Sequence, residues 1–267
     1  MGLFTKQKER PDAADVVRRA VILKHVVVYA GSTPPREVLP GIMAKWTVED
    51  RRRFRADADA QRDAFWSSLD SLRGELSPWE QSYSRATMLT MTRQQQLDAS
   101  WRTEAAVVLI WALGEIEFLP AYDVSADSDP LKGFPPEPFA DYVGRARLRA
   151  RADIERARDT AELWHWRART HEIMARGDRF PESDEARRAG IRSFADVVRL
   201  AARTAAERGT IPAALEDDFP ALGRPYRELS ELDFSRLRSI AAERHFALNW
   251  LCGCAPGHRW DDTPTDT

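Results

Sequence analysis

The residues with the clearest chemical potential lie near the end of the chain, at positions 243–251, where the sequence reads ERHFALNWL. Residues three and four apart are neighbours on a helix, and all four such neighbours of Arg244 are apolar. We therefore expect the Arg244 guanidinium to be buried and paired with an acid, because an unpaired buried charge is strongly destabilising. Arg244 is then either a structural residue or part of a site.

A matching carboxylate stands at Glu104, just before the apolar positions 105–113. None of its neighbours at helical spacing is a cation, so Glu104 has no local partner. We predict that Glu104 and Arg244 pair across the core, with Asp261 or Asp262 as further acceptors for the guanidinium. A buried pair that fixes helix packing is the favoured interpretation, and a ligand-binding or catalytic site is the alternative.

Arg102 lies two residues before Glu104, so on a helix the two side chains point in different directions. Asp98 precedes Arg102 by four residues, a spacing at which side chains of one helix meet. We predict that Asp98 satisfies Arg102 within its own helix.

Residues 161–171 form a third cluster, with two tryptophans, two arginines and two histidines. Trp166 and Arg167 could bind an anion or stack on a base. An amphipathic helix with tryptophans in the core is the favoured interpretation. His165 and His171 are six apart and lie on different faces of a helix, so they do not form a two-histidine metal site.

Four residues near the C-terminus have side chains that suit zinc: His245, Cys252, Cys254 and His258. The two cysteines are only one residue apart, which is closer than the usual spacing of two to four. We favour no metal and no cofactor, with Cys252 in the core, while leaving a zinc site open.

Composition indicates a folded protein without a strong electrostatic preference. The chain has 267 residues, 43% hydrophobic residues, nine tryptophans and a net charge of -2. We expect neither nucleic acid nor membrane as a partner. No secretory signal is evident and the two cysteines cannot form a disulfide scaffold, so we expect a cytoplasmic location.

Helical periodicity predicts a mainly α, single domain over residues 1–267, arranged as a multi-helix orthogonal bundle with long loops. Helices are predicted over 12–30, 47–72, 92–113, 139–176, 193–208 and 233–251, with a further helix start at Ser77. A strand over 22–29 is the alternative in the first of these. Residues 120–138 form a proline-rich loop, and about ten N-terminal residues are expected to be flexible. We expect helix 92–113 to pack against both the Trp164 and the Arg244 helices.

Several of these segments together resemble a bacterial family of proteins, domain-of-unknown-function family 4272. The resemblance is carried by residues 101–105 (WRTEA), 109–114 (LIWALG), 164–169 (WHWRAR), 243–251 (ERHFALNWL), 260–262 (WDD) and 266–267 (DT). It implies a helical, cytoplasmic protein and no particular reaction.

The leading functional hypothesis is a non-enzymatic binding or interaction protein, since tryptophan and arginine are enriched at interfaces and no catalytic motif is evident. An enzyme that acts on an anionic small molecule through a buried Glu, Arg and Asp cluster is the alternative. The partner is an unidentified protein or small anion, and an oligomer is possible. The candidate binding residues are Trp101, Arg102, Glu104, Trp166, Arg167, Glu243, Arg244, Asn249, Trp260, Asp261 and Asp262.

Overall fold

Helices form most of the chain, as predicted, in a computed structural model that describes residues 10–136, 138–181 and 183–266. In chain order the helices are α1 (Ala13–Ser32), α2 (Leu39–Met43), α3 (Val48–Trp66), α4 (Pro78–Tyr83), α5 (Arg93–Ala112), α6 (Asp129–Lys132), α7 (Phe139–Arg145), α8 (Arg151–Ala175), α9 (Asp184–Arg188), α10 (Phe194–Glu207) and α11 (Glu231–Leu251). The strands are β1 (Pro220–Ala221) and β2 (Arg224–Pro225), which pair as a short antiparallel hairpin.

Capping residues fix where the helices begin. Asp12, Thr47, Ser77 and Thr92 each accept a hydrogen bond from the third residue of the following helix, whose side chain bonds back to the cap. Such reciprocal bonds satisfy amide groups that have no partner inside the helix. The start predicted at Ser77 is therefore confirmed, and residues 22–29 are helical throughout.

Four long helices lie side by side in the order α1, α5, α11 and α8. Helices α8 and α11 run antiparallel, because Arg158 binds Asn249 near one end and Glu172 binds Arg238 near the other. The predicted contact of α5 with α11 is confirmed. The prediction that α5 also packs mainly on α8 is wrong, since its second major neighbour is α1 and α11 lies between α5 and α8.

Two hydrophobic clusters share these helices. The larger one contains most of α1, the C-terminal half of α5 and the end of α11. The second joins α8 and α10 to the hairpin and the start of α11, around Trp164, Phe219 and Tyr226. Because α8 and α11 contribute to both clusters, they connect the two parts of the molecule.

The single helix predicted over 139–176 is interrupted at residues 146–150. There the Arg149 amide donates to the carbonyl of Ala112, and its guanidinium donates to the carbonyls of Trp111 and Ile116. These bonds satisfy carbonyl groups at the end of α5 that have no partner inside that helix. A long-range contact thus breaks the helix without a proline at the break.

Two further boundaries differ from the predictions. Helix α3 ends at Trp66 and continues as a 3₁₀ helix over Ser67–Glu75, and the predicted loop at 217–224 contains most of the hairpin. The turn of the hairpin uses positive φ at Leu222 and Gly223. The prediction of a flexible N-terminus falls largely on residues 1–9, which lie outside the described residues.

We predict that Leu248→Ala lowers the free energy of unfolding by about 2–5 kcal/mol, because Leu248 is 0% exposed and the change leaves a cavity. The matched control is Leu232→Ala in the same helix, where the side chain is 81% exposed and the effect is within about 0.5 kcal/mol. Urea unfolding measures both. Equal losses would contradict the packing of α11 described above.

Candidate functional site

The predicted pairing of Glu104 with Arg244 is confirmed. Helix α5 supplies Glu104 and α11 supplies Arg244, and Nε and Nη2 of Arg244 lie 2.9 and 2.8 Å from Glu104 Oε2. The two side chains are only 2% and 1% exposed. Such a pair is costly to break from one side, because the remaining charge stays buried without a partner.

The other groups of this pair bind the loop that follows α5. Arg244 Nη1 donates to the carbonyls of Pro120 and Ala121 at 2.5 and 3.2 Å, and Nη2 donates to Val124 O at 2.9 Å. Glu104 Oε1 accepts from the Ala126 amide at 2.8 Å. A guanidinium has five N–H donors, so with its contacts to Glu104 every donor of Arg244 has an acceptor.

We call Glu104 and Arg244 the loop clamp, because together they hold residues 120–126. The prediction that Asp261 or Asp262 completes the shell of Arg244 is wrong. Backbone carbonyls take these positions because residues 120–126 lie directly beside the guanidinium. With its donors filled, the loop clamp offers no hydrogen bond to an anionic ligand.

Tyr122 connects the loop clamp to α8. The centre of its ring lies 5.0 Å from Cζ of Arg244, and it stacks on Trp164 with the ring centres 5.4 Å apart and the planes 8° apart. Cation–π contact and stacking both favour one orientation of this ring. Burial raises the pKa of the Tyr122 hydroxyl; Arg244 opposes this rise and Glu104 adds to it.

An apolar cavity of about 500 Å³ lies on the other side of this loop. Its lining comes from the loop, α8 and the segment around the hairpin: Leu119, Pro120, Ala121, Tyr122, Asp123, Ala157, Thr160, Trp164, Thr210, Pro212, Pro220 and Gly223. Phe118 and Val124, which adjoin lining residues in sequence, are 75% and 54% exposed. The loop clamp therefore fixes one wall of a cavity with exposed apolar residues next to it.

Arg167 belongs to a separate buried pair. Its Nε and Nη2 donate to the two carboxylate oxygens of Asp218 at 2.7 and 2.8 Å, and Asp218 also accepts from the amides of Phe219 and Arg227. Burial favours the neutral acid, but these bonds outweigh it and lower the pKa of Asp218. Trp166 lies partly buried, with its ring centre 6.4 Å from that of Phe219. Arg167 thus anchors the hairpin to α8, away from the loop clamp.

Arg102 pairs with Glu243, and the prediction that it pairs with Asp98 is wrong. Nη1 of Arg102 lies 3.1 and 3.0 Å from the two carboxylate oxygens of Glu243. Its guanidinium also lies between the rings of Trp79 and Phe246, so α11 offers more than an acid in its own helix could. Burial raises the pKa of Glu243, although Arg102 opposes this change.

Asn249 belongs to a buried hydrogen-bonded chain between α8 and α11. Its amide nitrogen donates to Pro264 O and Nε2 of His245, and its oxygen accepts from Nε of Arg158. His245 must then carry its proton on Nδ1 and donate it to Nδ1 of His165, 3.0 Å away. Burial, His165 and Arg158 lower the pKa of His245 to about 4, so both imidazoles are neutral near pH 7.

The tail residues have structural contacts. Trp260 is buried beneath the guanidinium of Arg19, Asp261 accepts from the Trp79 amide at 3.1 Å, and Asp262 pairs with Arg259 at 2.6 Å. All three tail residues line a cavity of about 420 Å³ between the tail and α1. Trp101 is partly buried in α5.

The zinc hypothesis finds no assembled ligand set. Within residues 10–136, 138–181 and 183–266, no three histidine, cysteine or acidic side chains are grouped as metal ligands. Cys252 and Cys254 are thiols, and burial raises the pKa of Cys252 to about 11.

Sequence reasoning did not identify Tyr122, Asp218 or the buried pair of Arg19 with Glu80 as important residues. Both carboxylate oxygens of Glu80 accept from Arg19 Nη1, at 2.8 and 2.7 Å. Three of the four helical neighbours of Arg19 are apolar, so the criterion that singled out Arg244 applies to it as well. Asp218 and Tyr122 lie in loops, where periodicity gives no signal.

The fold and the loop clamp together define a helical domain in which buried Arg–acid pairs hold loops onto helices. Residues 5–183 match the model of the family described as Domain of unknown function (DUF4272), so the chain belongs to this family. The segments around Glu104 and Trp164 lie inside the match, whereas 243–251 and 260–262 lie beyond it. No curated protein and no solved structure matches the chain. No helix of the described part is long and apolar enough to cross a membrane.

We predict that Glu104→Gln lowers the free energy of unfolding by about 3–5 kcal/mol, because it leaves the charge of Arg244 buried without a counterion. Glu243→Gln is the matched control in a pair whose side chains are each 19% exposed, and it loses about 1 kcal/mol or less. Chemical denaturation measures both values. A smaller loss for Glu104→Gln than for Glu243→Gln would contradict the geometry of the loop clamp.

Stability should also fall as the pH drops from about 6.5 to 4. In this range His245 is neutral in the folded protein, whereas an unfolded chain protonates it, so protons favour unfolding. The full loss from this residue is about 3 kcal/mol. Unfolding free energies at pH 7 and 4.5 test this for the natural chain and for His245→Gln, which should show a shallower dependence. An unchanged slope would contradict it.

Proposed function

We propose that the protein is a non-enzymatic binding domain that recognises a partner protein at the apolar cavity beside the loop clamp. The observation that carries this proposal is the loop clamp itself. All donors of Arg244 are occupied, yet they hold the loop that forms one wall of the cavity. Fixing a loop in its binding conformation before the partner arrives reduces the entropy lost on binding.

The chemistry of the surface favours a protein partner with an apolar anchor. Tyr122, Trp164 and three prolines give the cavity rigid apolar walls that suit an aliphatic or aromatic side chain. The exposed side chains of Phe118 and Val124 extend the apolar surface beyond the cavity. A small molecule inside the cavity would leave both uncovered, whereas a protein partner would bury them.

The alternative, an enzyme acting on an anionic molecule, was proposed to use Glu104, Arg167, Arg244 and Asp261 together. Instead Arg167 binds Asp218, and Asp261 binds the amide of Trp79. A binding role requires no such convergence, so the contacts of these residues support the first proposal.

We place this function in the bacterial cytoplasm. The support is chemical: Cys252 and Cys254 are thiols only one residue apart, and a reducing compartment maintains thiols.

A defined peptide library tests the proposal on the full chain. We expect selection from displayed peptides to enrich sequences with an aromatic or aliphatic anchor. A labelled peptide of this kind should lose affinity about tenfold or more with Phe118→Ser, because an interface anchor contributes roughly 2 kcal/mol. Fluorescence anisotropy measures the affinity.

The control for this experiment is Leu232→Ser, which removes an equally exposed apolar side chain outside the surface and should leave the affinity unchanged. Equal effects of the two changes, or no enriched peptide, would overturn the proposal. Self-association abolished by Phe118→Ser, measured by sedimentation, would also overturn it and identify a second copy as the occupant.

A further inference from the structure

A second cavity, of about 550 Å³, lies between the end of α3, the 3₁₀ helix that follows it and α4. Its lining combines three arginines with an apolar floor and a few polar groups: Arg62, Asp63, Trp66, Leu69, Arg73, Leu76, Gln81, Ser84 and Arg85. We call it the arginine groove. None of its residues lines the apolar cavity or belongs to the loop clamp.

The arginines of the groove differ in how far they are occupied. Arg62 binds Asp59 and Asp63, and Arg73 uses only Nε in its bond to Asp70. Arg85 forms no ion pair with any residue in the described part of the chain. Both Nη groups of Arg73 and the whole guanidinium of Arg85 therefore remain as donors for a ligand.

Trp66 provides an independent observation. The residue is only 4% exposed, and its indole Nε1 is buried without a hydrogen-bond acceptor among the described residues. Its ring is held by edge contacts with Tyr29 and Tyr83. A buried donor without an acceptor destabilises a protein by about 1–3 kcal/mol, and a ligand oxygen would remove this penalty.

We propose that the arginine groove binds a small oxyanion, the carboxylate or phosphate group of a metabolite-sized molecule. Arg85, Arg73 and Trp66 are donors without acceptors, and an oxyanion presents acceptors alone. The guanidinium groups provide the charge, and the indole N–H adds a directed hydrogen bond. Leu69 and Leu76 can contact the carbon skeleton of the ligand.

Calorimetric titration of the full chain at low ionic strength tests this with two probes, inorganic phosphate and citrate. We expect saturable binding of at least one probe, and the probe that binds identifies the phosphate or the carboxylate as the preferred group. Arg85→Gln should weaken binding about tenfold, as expected for the loss of one charge-assisted hydrogen bond. The Trp66 indole proton, assigned with Trp66→Phe, should shift in NMR spectra during the titration.

The matched control is Arg53→Gln, which removes the same charge from an exposed position in α3 outside the groove. It should change the affinity by less than about twofold, since exposed charges are screened by solvent. Equal weakening by both substitutions would reduce the effect to non-specific charge and overturn the proposal. Absence of saturable binding for both probes, or an indole proton that does not move, would overturn it as well.

Discussion

The structure depends on how the desolvated guanidinium of Arg244 is satisfied. A buried arginine needs a counterion and five acceptors, and no single residue can supply all of them. Glu104 supplies the charge from α5, and the carbonyls of Pro120, Ala121 and Val124 supply the remaining acceptors. One side chain therefore determines both the approach of two helices and the path of the loop between α5 and α6.

The same physical solution recurs at two other positions. Arg19 joins α1 to Glu80 at the start of α4, and Arg167 joins α8 to Asp218 beside the hairpin. In each case the acid also accepts backbone amides, so the pair fixes a helix start or a turn as well as a side chain. Bonds of this kind favour one arrangement because a shifted one would leave a buried charge unpaired. Apolar packing brings the helices together, and these pairs hold the intervening segments in place.

The sequence was most informative where local rules apply. Capping at Ser77 and Thr92 and the apolar surroundings of Arg244 predicted helix starts and a long-range ion pair correctly. Predictions failed where a distant backbone decides the outcome. Carbonyl groups that replace Asp261 beside Arg244 carry no sequence signal, and neither does the use of Arg149 to end α5. The apolar cavity was also beyond prediction, because its walls come from segments far apart in the chain.

Amide hydrogen exchange of residues 119–126 tests the central claim most directly, since these amides report whether the loop clamp orders the loop. In Arg244→Met the account predicts that exchange becomes faster at Ala126 and its neighbours, because Glu104 loses its counterion and three carbonyls lose their donor. The amides around His165 and Trp164 in α8 should keep most of their protection. Unchanged exchange across 119–126 in a folded variant would show that the loop holds its conformation without the clamp and would contradict the account.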